Sequence, residues 1–544
     1  MIVFAVKQPD PNLNLLDRFL VMMEYQNIET IICFNKKDIG NEEYMDYLKK
    51  IYNLAGYKVI FASATEDEGV HKVKELLKGK TTVFAGPSGV GKSSMLNTLT
   101  KDYTMETGSV SEKIGRGRHT TRHSEMFESD KDTFVFDTPG FSSLFVPGMT
   151  KEKLEDCFPE FGEHLNNCRF VGCAHNNEPD CAVKDALEEN KIAQSRYDNY
   201  ILMYNELKEM EKLCEDYRHF LDDGKTEREC VSQSVRIAEQ AGYRNLADVI
   251  EEGGKLTAGD KVYSVNMNKS IALFQIGRQP LEKGMAILGA HIDSPRMDIK
   301  QNPLYEDTEL AFLDTHYYGG IKKYQWVTLP LAIHGVIVKK DGEVVPVCVG
   351  EDEKDPVFCV TDLLIHLSQE RMSKKATEVI EGEALDILVG SQPLKGEEKD
   401  AVAKNILSIL KEKYDMEEED FLSAELEVVP AGKARESGFD TSMIMAYGQD
   451  DRVCAFTSLL AMVEVENTEY TTCCLLVDKE EIGSVGATGM RSRNFENTVA
   501  EVLSLTGQYS DLALRRCLAN SRMLSSDVSA AFDPNYPGVM EKKN

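Results

Sequence analysis

"GPSGVGKSS" (residues 86–94) decides how the first part of the chain is expected to fold. The stretch fits the pattern G-x-x-x-x-G-K-[ST], follows the apolar run TTVFA and opens the helix-favouring run KSSMLNTLT. In such a strand–loop–helix context, backbone N–H groups surround phosphates and the helix N-terminus adds a favourable field. Lys92 would reach the β- and γ-phosphates, and the Ser93 hydroxyl would bind Mg²⁺. The stretch therefore predicts a nucleotide-binding α/β domain.

Three further motifs follow apolar runs and complete a nucleotide site. FDTPG (136–140) would hold Mg²⁺ through Asp137 and contact the γ-phosphate through the Gly140 amide. NKKD (35–38) follows TIICF, and its Asp38 would accept two hydrogen bonds from a guanine edge. Asn35 and Lys36 would support this pocket, and SAT (63–65) would cover the base carbonyl.

These motifs predict one GTP site. Its residues are Asn35, Lys36, Asp38, Ser63, Ala64, Gly86, Pro87, Ser88, Gly89, Val90, Gly91, Lys92, Ser93, Ser94, Asp137 and Gly140. In an ordinary GTPase the phosphate loop precedes the guanine-reading motifs, whereas here the guanine-reading motifs come first. This order indicates a circularly permuted domain.

A cysteine- and histidine-rich stretch follows at CRFVGCAHNNEPDCAVK (168–184). Cys168, Cys173, His175 and Cys181 have the spacing C-x4-C-x-H-x5-C. Three thiolates and one imidazole form a closed tetrahedral set that suits structural zinc. Buried cysteines beside a surface histidine are the alternative interpretation.

The motif order, this Cys/His spacing, GRGRHTTRH (115–123) and RYDNYILMYNELKE (196–209) together resemble the ribosome small-subunit-dependent GTPase A family. The resemblance implies GTP and GDP as ligands, Mg and one structural Zn as cofactors, and the small ribosomal subunit and rRNA as partners. It implies that Thr121, or else Thr120, is the switch threonine. It also makes His119 a candidate catalytic group, with a solvated loop histidine as the alternative. Family members carry an N-terminal RNA-binding β-barrel that this sequence lacks, so we expect weaker ribosome docking.

The second part of the sequence places a histidine and several acids after apolar runs. GAHIDSPR contains His291 and Asp293, GQDDR contains an Asp pair, and DKEEIGSVGATGM contains a Glu pair. SSDVSAAFDPNYP (525–537) adds Asp527. A histidine with such carboxylates suits a two-metal hydrolytic site in which a glutamate acts as general base. A loop histidine and a helix-capping Asp pair explain the same local patterns.

Together with HYYGGIKKYQW (316–326), these motifs resemble the aspartyl aminopeptidase family of metallopeptidases from about residue 212 to the end. The resemblance implies removal of N-terminal residues, often acidic ones, by a large homo-oligomer with one or two zinc ions. It implies that Glu480 is the base and Asp293 the orienting acid. The implied metal ligands are His291, Asp450 as the bridging ligand, Glu481 and Asp527. The family's last metal-binding histidine lies beyond DPNYP and is absent here. We therefore expect a weakened second metal position and little peptidase activity.

Composition limits the remaining classes of function. The chain has 544 residues, 42% of them hydrophobic and 28% charged, which predicts two to four globular domains. A net charge of −29 gives no basic field for free-standing nucleic-acid binding. The apolar runs are too short for a membrane span, and the start lacks signal-peptide features. We expect a cytoplasmic protein whose 13 cysteines are reduced.

The predicted architecture is α/β in four parts. It comprises a permuted P-loop GTPase domain (1–150), a helical zinc subdomain (151–210), a metallopeptidase domain (211–300 and 436–544) and an inserted β-rich oligomerisation domain (301–435). The join is expected near Met210, within ELKEMEKLCEDYRHF (206–220). The expected loss of the front of one family and the back of the other is the pattern that a deletion between neighbouring genes, or a misassembled sequence, leaves. The reading frame runs through the join, which is the pattern of a genuine fused protein, so both interpretations stay open.

The leading hypothesis is a GTPase of the ribosome-assembly type fused to an incomplete aminopeptidase. In the first alternative the chain is chiefly a zinc aminopeptidase, and the GTPase part is regulatory or vestigial. In the second, a GTP-dependent binding module carries a peptidase half that only oligomerises. Metal content and turnover of GTP and of peptides distinguish these hypotheses.

Overall fold

The computed structural model describes residues 1–66, 68–99, 125–137 and 148–539. The chain divides into two compact units, Met1–Leu213 and Cys214–Asn544, which are described separately. Among the described residues, no helix combines the length and apolar character needed to cross a membrane.

The first unit is built on parallel strands, with the edge strand β5 antiparallel to its neighbour. Its described strands are β1 (Ile2–Ala5), β2 (Ile31–Asn35), β3 (Lys58–Phe61), β4 (Thr81–Phe84), β5 (Glu125–Asp130) and β6 (Thr133–Asp137). β1, β2 and β3 pair in that order, while β4 pairs with β6 and β6 with β5. Val3 N donates to Ala85 O at 2.7 Å, so the end of β4 continues alongside β1. All four residues of β1 are buried, as expected for a strand covered on both faces.

Helices cover both faces of these strands. The described helices of the unit are α1 (Leu13–Tyr25), α2 (Glu42–Leu54), α3 (Val70–Leu77), α4 (Lys92–Leu99), α5 (Lys151–Leu154), α6 (Ala182–Glu188) and α7 (Gln194–Asp222), which continues past Leu213. Ile2 and Phe4 pack with residues of α1 and α2, whereas Val3 and Ala5 pack with residues of α3 and α4. The alternation of β1 side chains therefore divides the unit into two apolar layers.

A third core joins α6, α7 and the residues around Phe158 and Phe161. Arg196, on α7, is fully buried beside it. Its Nη1 donates to Asp17 Oδ1 at 2.9 Å and its Nε to Glu160 Oε1 at 2.7 Å. A buried guanidinium is tolerated only when its hydrogen bonds and charge are satisfied. Arg196 therefore ties α1 to the third core.

The second unit contains two large sheets. Its strands are β7 (Arg244–Asn245), β8 (Lys261–Asn266), β9 (Ser270–Gln275), β10 (Ala286–His291), β11 (Arg296–Asp307), β12 (Leu310–Tyr318), β13 (Leu331–Val338), β14 (Val344–Val349), β15 (Cys359–Val360), β16 (Ile387–Gly390), β17 (Glu425–Pro430), β18 (Arg435–Ser437), β19 (Met443–Met445), β20 (Thr472–Val477) and β21 (Arg522–Ser525). One sheet has the order β21-β10-β20-β9-β8-β7, and the other is antiparallel with the order β14-β13-β17-β11-β12-β16-β15.

Helices pack on both faces of the six-stranded sheet. The described helices of the whole second unit are α8 (Glu227–Gln240), α9 (Leu246–Glu251), α10 (Gln369–Met372), α11 (Ala401–Tyr414), α12 (Gln449–Glu464), α13 (Asn494–Leu505) and α14 (Asp511–Asn520), of which α11 packs against the seven-stranded sheet. Residues of α8 and α12 form one apolar layer, and those of α9, α13 and α14 form the other. The seven-stranded sheet has its own core around Trp326 and Leu331. The predicted α/β class is confirmed, while the domain boundaries drawn from the sequence stay predictions.

Candidate functional sites

The predicted phosphate loop connects β4 to α4, and two of its glycines are sterically required. Gly86 has φ +154°, and a Cβ there would lie 2.0 Å from Val3 O. Gly91 has φ +89°, and a Cβ there would lie 2.4 Å from Asn35 Nδ2. A side chain at either position would collide with the neighbouring segment. The glycines of the motif therefore allow the loop to approach β1 and the NKKD motif.

Polar contacts hold the same loop in shape. Lys92 Nζ donates to Gly86 O at 2.8 Å and to Pro87 O at 2.9 Å. Ser88 and Gly89 are exposed, Val90 is buried, and Ser93 and Ser94 are partly buried at the start of α4. The exposed face of the loop and the first turn of α4 therefore remain accessible to an anion.

The predicted guanine-reading residues contact this loop. Asn35 Nδ2 donates to Val90 O at 3.0 Å, and its Oδ1 accepts a hydrogen bond from Ala64 N at 3.1 Å. Lys36 Nζ donates to Gly89 O at 2.8 Å. Asp38 is exposed just beyond these contacts. The structure thus brings three motifs together although 29 and 55 residues separate Asn35 from its partners.

Ser63 lies among the described residues, whereas most of the residues predicted to contact the γ-phosphate do not. Ser63 is fully buried, and its Oγ accepts a hydrogen bond from Glu66 N at 3.2 Å. Asp137 ends β6 and pairs with Phe84 at the end of β4, so its backbone lies beside the start of the phosphate loop. Thr121, His119 and Gly140 lie outside the described residues, as does the Asp137 side chain. Their predicted roles stay predictions.

The four predicted zinc ligands lie together in the first unit. The ligand atoms of Cys168, Cys173, His175 and Cys181 all fall within 4.8 Å of one another. His175 Nδ1 lies 3.3 Å from Cys181 Sγ and 3.6 Å from Cys168 Sγ. The Sγ atoms of Cys168 and Cys181 are 3.9 Å apart. Zinc–sulfur bonds of about 2.3 Å in a tetrahedron need spacings of this size, so the residues fit a zinc ion.

Glu155 contacts the histidine of this cluster, and the sequence did not indicate it. Its Oε2 lies 2.9 Å from His175 Nε2, which leaves Nδ1 facing the thiols. Tyr197 and Tyr200 donate hydrogen bonds to the carbonyls of His175 and Ala174 at 2.5 and 3.1 Å. A carboxylate on the second ring nitrogen fixes the orientation of a metal-binding histidine. Its position 20 residues before His175 gave no sequence signal.

His291 is the centre of the predicted metal site of the second unit. It ends β10 and is buried, and its Nδ1 faces Asp293 O at 2.9 Å and Asp293 Oδ1 at 3.4 Å. Burial alone would lower the pKa of His291, but Asp293 and Asp451 raise it to about 9. Asp293 itself accepts hydrogen bonds from Tyr318 Oη at 2.7 Å and from Glu480 N at 3.1 Å. The carboxylate therefore has a fixed orientation toward the histidine.

Four acids lie around the buried His291 side chain. Asp450 Oδ1 lies 3.2 Å and Glu480 Oε2 3.8 Å from His291 Nε2. His291, Asp451 and Asp527 offer ligand atoms within 4.8 Å of one another. Asp451 is fully buried, and neither carboxylate oxygen has a hydrogen-bond partner among the described residues. A buried carboxylate without donors is costly unless a cation neutralises it, so this donor set fits a metal.

Glu481 interacts electrostatically with Asp450 and His291 but does not belong to the group of His291, Asp451 and Asp527. Burial raises the pKa of Glu481, and the neighbouring Asp450 raises it further. Its backbone N donates to Asp293 Oδ2 at 3.2 Å. The structure therefore brings His291, Asp450 and Asp527 together and places Glu480 and Glu481 beside Asp293. The ligand and base roles of these residues stay predictions.

The sequence prediction omitted two contributors to this centre. Asp451 is the second acid of the GQDDR pair, of which only Asp450 was assigned a role. Tyr318 belongs to HYYGG, which contributed to the family resemblance without a role for any residue. Both residues belong to motifs that contribute to the family resemblance. The motif was therefore the available sequence signal, because an aspartate or a tyrosine alone does not indicate a metal site.

Comparison with known proteins gives two similarities for the first part of the chain. Residues 1–147 match the family described as RsgA GTPase, and residues 81–221 match the family described as 50S ribosome-binding GTPase. The small ribosomal subunit biogenesis GTPase RsgA of Agathobacter rectalis is 57% identical over 212 residues, which are 39% of this chain and 70% of that protein.

The second part matches a peptidase family over more than half of the chain. Residues 220–544 match the family described as Aminopeptidase I zinc metalloprotease (M18). The protein of Clostridium acetobutylicum named "Probable M18 family aminopeptidase 1" is 62% identical over 361 residues, or 66% of this chain and 77% of that protein. The crystal structure of the M18 aminopeptidase of Thermotoga maritima is similar with 44% identity and a TM-score of 0.59, covering 61% of this chain and 73% of that one.

Proposed function

Since the chain belongs to the M18 aminopeptidase family through residues 220–544 and to the small ribosomal subunit biogenesis GTPases through its first part, we propose that its first unit binds and hydrolyses GTP. The observation that carries this proposal is the position of Asn35, whose side chain bonds to both the phosphate loop and Ala64. One residue thereby fixes the base pocket relative to the phosphates.

Different residues of the first unit would bind the phosphates, the Mg²⁺ ion and the guanine base. The N–H groups of Gly86 and of residues 88–91 surround the phosphates, and Lys92 moves from loop carbonyls to phosphate oxygens. Ser93 would hold Mg²⁺, with Asp137 acting through water. The ion neutralises charge on the β- and γ-phosphates. Asp38 accepts the two hydrogen bonds of guanine, and His119 remains our candidate for orienting the attacking water.

Changing Asp38 to asparagine tests the base specificity. The amide keeps the shape but replaces one acceptor with a donor, so one hydrogen bond to guanine is lost and two donors face each other. A bond to a charged group contributes about 1.5–3 kcal/mol, so GTP affinity should fall at least about 10-fold. Xanthosine triphosphate, which has a carbonyl where guanine has an amino group, should bind the variant more tightly than GTP. Titration with fluorescent nucleotides measures both affinities.

Asp46→Asn is the matched control, because Asp46 is an exposed acid on α2 that belongs to none of the predicted nucleotide-binding motifs. It should bind GTP like the original chain. An Asp38→Asn variant that keeps full GTP affinity would overturn the assignment of the base pocket, whatever the hydrolysis rate.

The relatives' names also suggest a partner for this unit. We propose that the first unit acts with the small ribosomal subunit, as the name of the Agathobacter protein states for that protein. The Cys/His cluster would then be a structural zinc site that stabilises the part of the unit around α6 and α7. Stimulation of GTP hydrolysis by purified small subunits, and not by large subunits, is the expected result.

The second candidate function is metal-dependent aminopeptidase activity of the second unit. The buried Asp451 carboxylate without a partner, beside His291 and Asp527, favours it. His291, Asp450, Glu481 and Asp527 would hold one or two zinc ions, with Asp451 beside them. Zinc ions in such sites polarise the peptide carbonyl and lower the pKa of water.

The protein groups supply orientation and proton transfer. Asp293 holds His291 Nδ1, which leaves Nε2 directed at Asp450 and Glu480. Glu480 is the proposed general base, and it would carry the proton to the leaving amine. Its backbone N is bound to Asp293, so the base and the oriented histidine share one anchor.

Release of the N-terminal residue from aspartyl and leucyl anilides tests this function. The full chain should show metal-dependent release, and Glu480→Gln should lower kcat about 100- to 10,000-fold with unchanged zinc content. Glu464→Gln, an exposed acid at the end of α12, should behave like the original chain. Equal rates in the Glu480→Gln variant would contradict the assigned base. Rates typical of the family would overturn the sequence-based expectation of little activity.

A further inference from the structure

A third cluster of metal-ligating side chains lies in the second unit, outside the sites described above. Glu229, His334 and Cys348 offer ligand atoms within 4.8 Å of one another. None of the three has a role in the proposed peptidase centre. We propose that this cluster binds a divalent late transition-metal cation, with zinc the first choice.

The imidazole and the thiol are set by the sheet register. His334 on β13 pairs directly with Cys348 on β14 in an antiparallel ladder. Directly paired residues project to the same face with their Cβ atoms about 4.5–5.5 Å apart. His334 is buried and Cys348 is exposed. The site therefore has an imidazole at its floor and a thiol at its solvent edge, through which an ion can enter.

The carboxylate is fixed by the start of a helix. Glu229 is the third residue of α8, and its Oε2 accepts a hydrogen bond from Thr226 N at 2.9 Å in a capping box. Its Oε1 lies 2.7 Å from His334 Nδ1. Because the cap already orders this side chain, little conformational entropy is lost when an oxygen takes an ion.

The other ring nitrogen of His334 is held by a second acid. Glu351 Oε1 lies 3.1 Å from His334 Nε2 and 2.9 Å from Lys225 Nζ. Lys225 Nζ in turn donates to Pro430 O at 2.8 Å. Both ring nitrogens of His334 therefore contact carboxylates, Nε2 that of Glu351 and Nδ1 that of Glu229, the candidate ligand. The histidine of the Cys/His cluster likewise has a glutamate, Glu155, on Nε2, but its Nδ1 faces thiols.

The donor set decides the class of ion. One thiolate, one imidazole and one carboxylate suit zinc and its neighbours in the first transition row, whereas magnesium and calcium prefer sites made of oxygen alone. The thiolate and the Glu229 carboxylate balance the two positive charges of the ion. Three protein ligands leave a fourth position, which faces solvent beside Cys348.

Alkylation of Cys348 in the unaltered full chain tests the site without any mutation. The chain is treated with iodoacetamide, with and without stoichiometric zinc chloride, and the modified cysteines are quantified by peptide mass spectrometry. Zinc should slow alkylation of Cys348 at least about tenfold, because a bound thiolate is a poor nucleophile. Cys214, also exposed, is the internal control and should react at the same rate in both samples.

Two variants separate a three-ligand site from a thiol that binds zinc alone. Glu229→Gln should remove most of the zinc protection of Cys348, whereas Glu239→Gln, an exposed acid on the same helix, should keep it. Native mass spectrometry should find one zinc ion fewer on Cys348→Ser than on the original chain. Unchanged alkylation of Cys348 with zinc, full protection in Glu229→Gln, or an unchanged zinc count in Cys348→Ser would each overturn the proposal.

Discussion

The Cys168–Cys181 cluster of the first unit and the His291 centre of the second both place an acid against a histidine, but the other side chains around the two histidines differ. Both contain a histidine with one nitrogen held by an acid, Glu155 in one and Asp293 in the other. Around His175 the remaining candidate ligands are three cysteines, two of them buried. Around His291 they are carboxylates, and the Asp450 and Glu480 side chains are 54% and 48% exposed. Ligand type and access, rather than the histidine, distinguish a structural from a reactive metal site.

The largest effect should come from opening the closed cluster. Cys181→Ser removes one of four ligands from a site whose zinc affinity is typically about 10–16 kcal/mol, so zinc affinity should fall more than about 100-fold. Zinc content after dialysis against a chelator, together with thermal unfolding of the first unit, measures this loss. Cys157→Ser is the control, because Cys157 is buried in the same core but is not a ligand. If both variants keep their zinc, the cluster is not the structural site we describe.

A smaller effect should follow from freeing the histidine of the closed cluster. Glu155→Gln keeps the shape but weakens the hold on His175 Nε2, and loss of such a partner typically costs about 10–100-fold in metal affinity. Competition with a chromogenic chelator gives the affinity. Glu163→Gln, an exposed acid in the same region, should leave it unchanged. Equal affinity in the two variants would show that burial alone orients His175.

The smallest effect should come from the second unit. Tyr318→Phe removes the 2.7 Å hydrogen bond to Asp293 Oδ2, which is worth about 1 kcal/mol, so zinc at the His291 centre should bind about fivefold more weakly. Zinc in the Cys168–Cys181 cluster should stay unaffected. Tyr317→Phe is the matched control, since Tyr317 is the exposed neighbour on β12. A tenfold or larger loss in the Tyr317→Phe variant would mean that β12 acts through packing rather than through this bond.

The features that could be predicted from the sequence depend on residues that are close together in the chain. The α/β class and both families are confirmed. They could be predicted because the residues of each motif are neighbours in the chain. The phosphate loop spans nine residues, and the Cys/His ligands span 14. Short spacing limits the possible positions of side chains, so residue type and order were sufficient to propose a site.

The features of the candidate sites that could not be predicted depend on contacts between residues far apart in the chain. Glu155 meets His175 and Tyr318 meets Asp293 only because separate elements pack together. Asp451 is a candidate metal ligand because its buried carboxylate receives no hydrogen bond among the described residues. No local sequence pattern shows this. An acid that orients a ligand has no fixed spacing, since any element that reaches the second nitrogen can supply it.

Arg196 has a consequence for the timing of synthesis. Asp17 is buried and its positive partner lies 179 residues later in the chain. At about 5–20 residues per second, a ribosome needs roughly 10–40 s to deliver that partner. Until then the Asp17 carboxylate has no counter-charge, and burying it alone would cost several kcal/mol. We therefore expect the first strands to emerge early yet to reach their final packing on α1 only after α7 has left the exit tunnel.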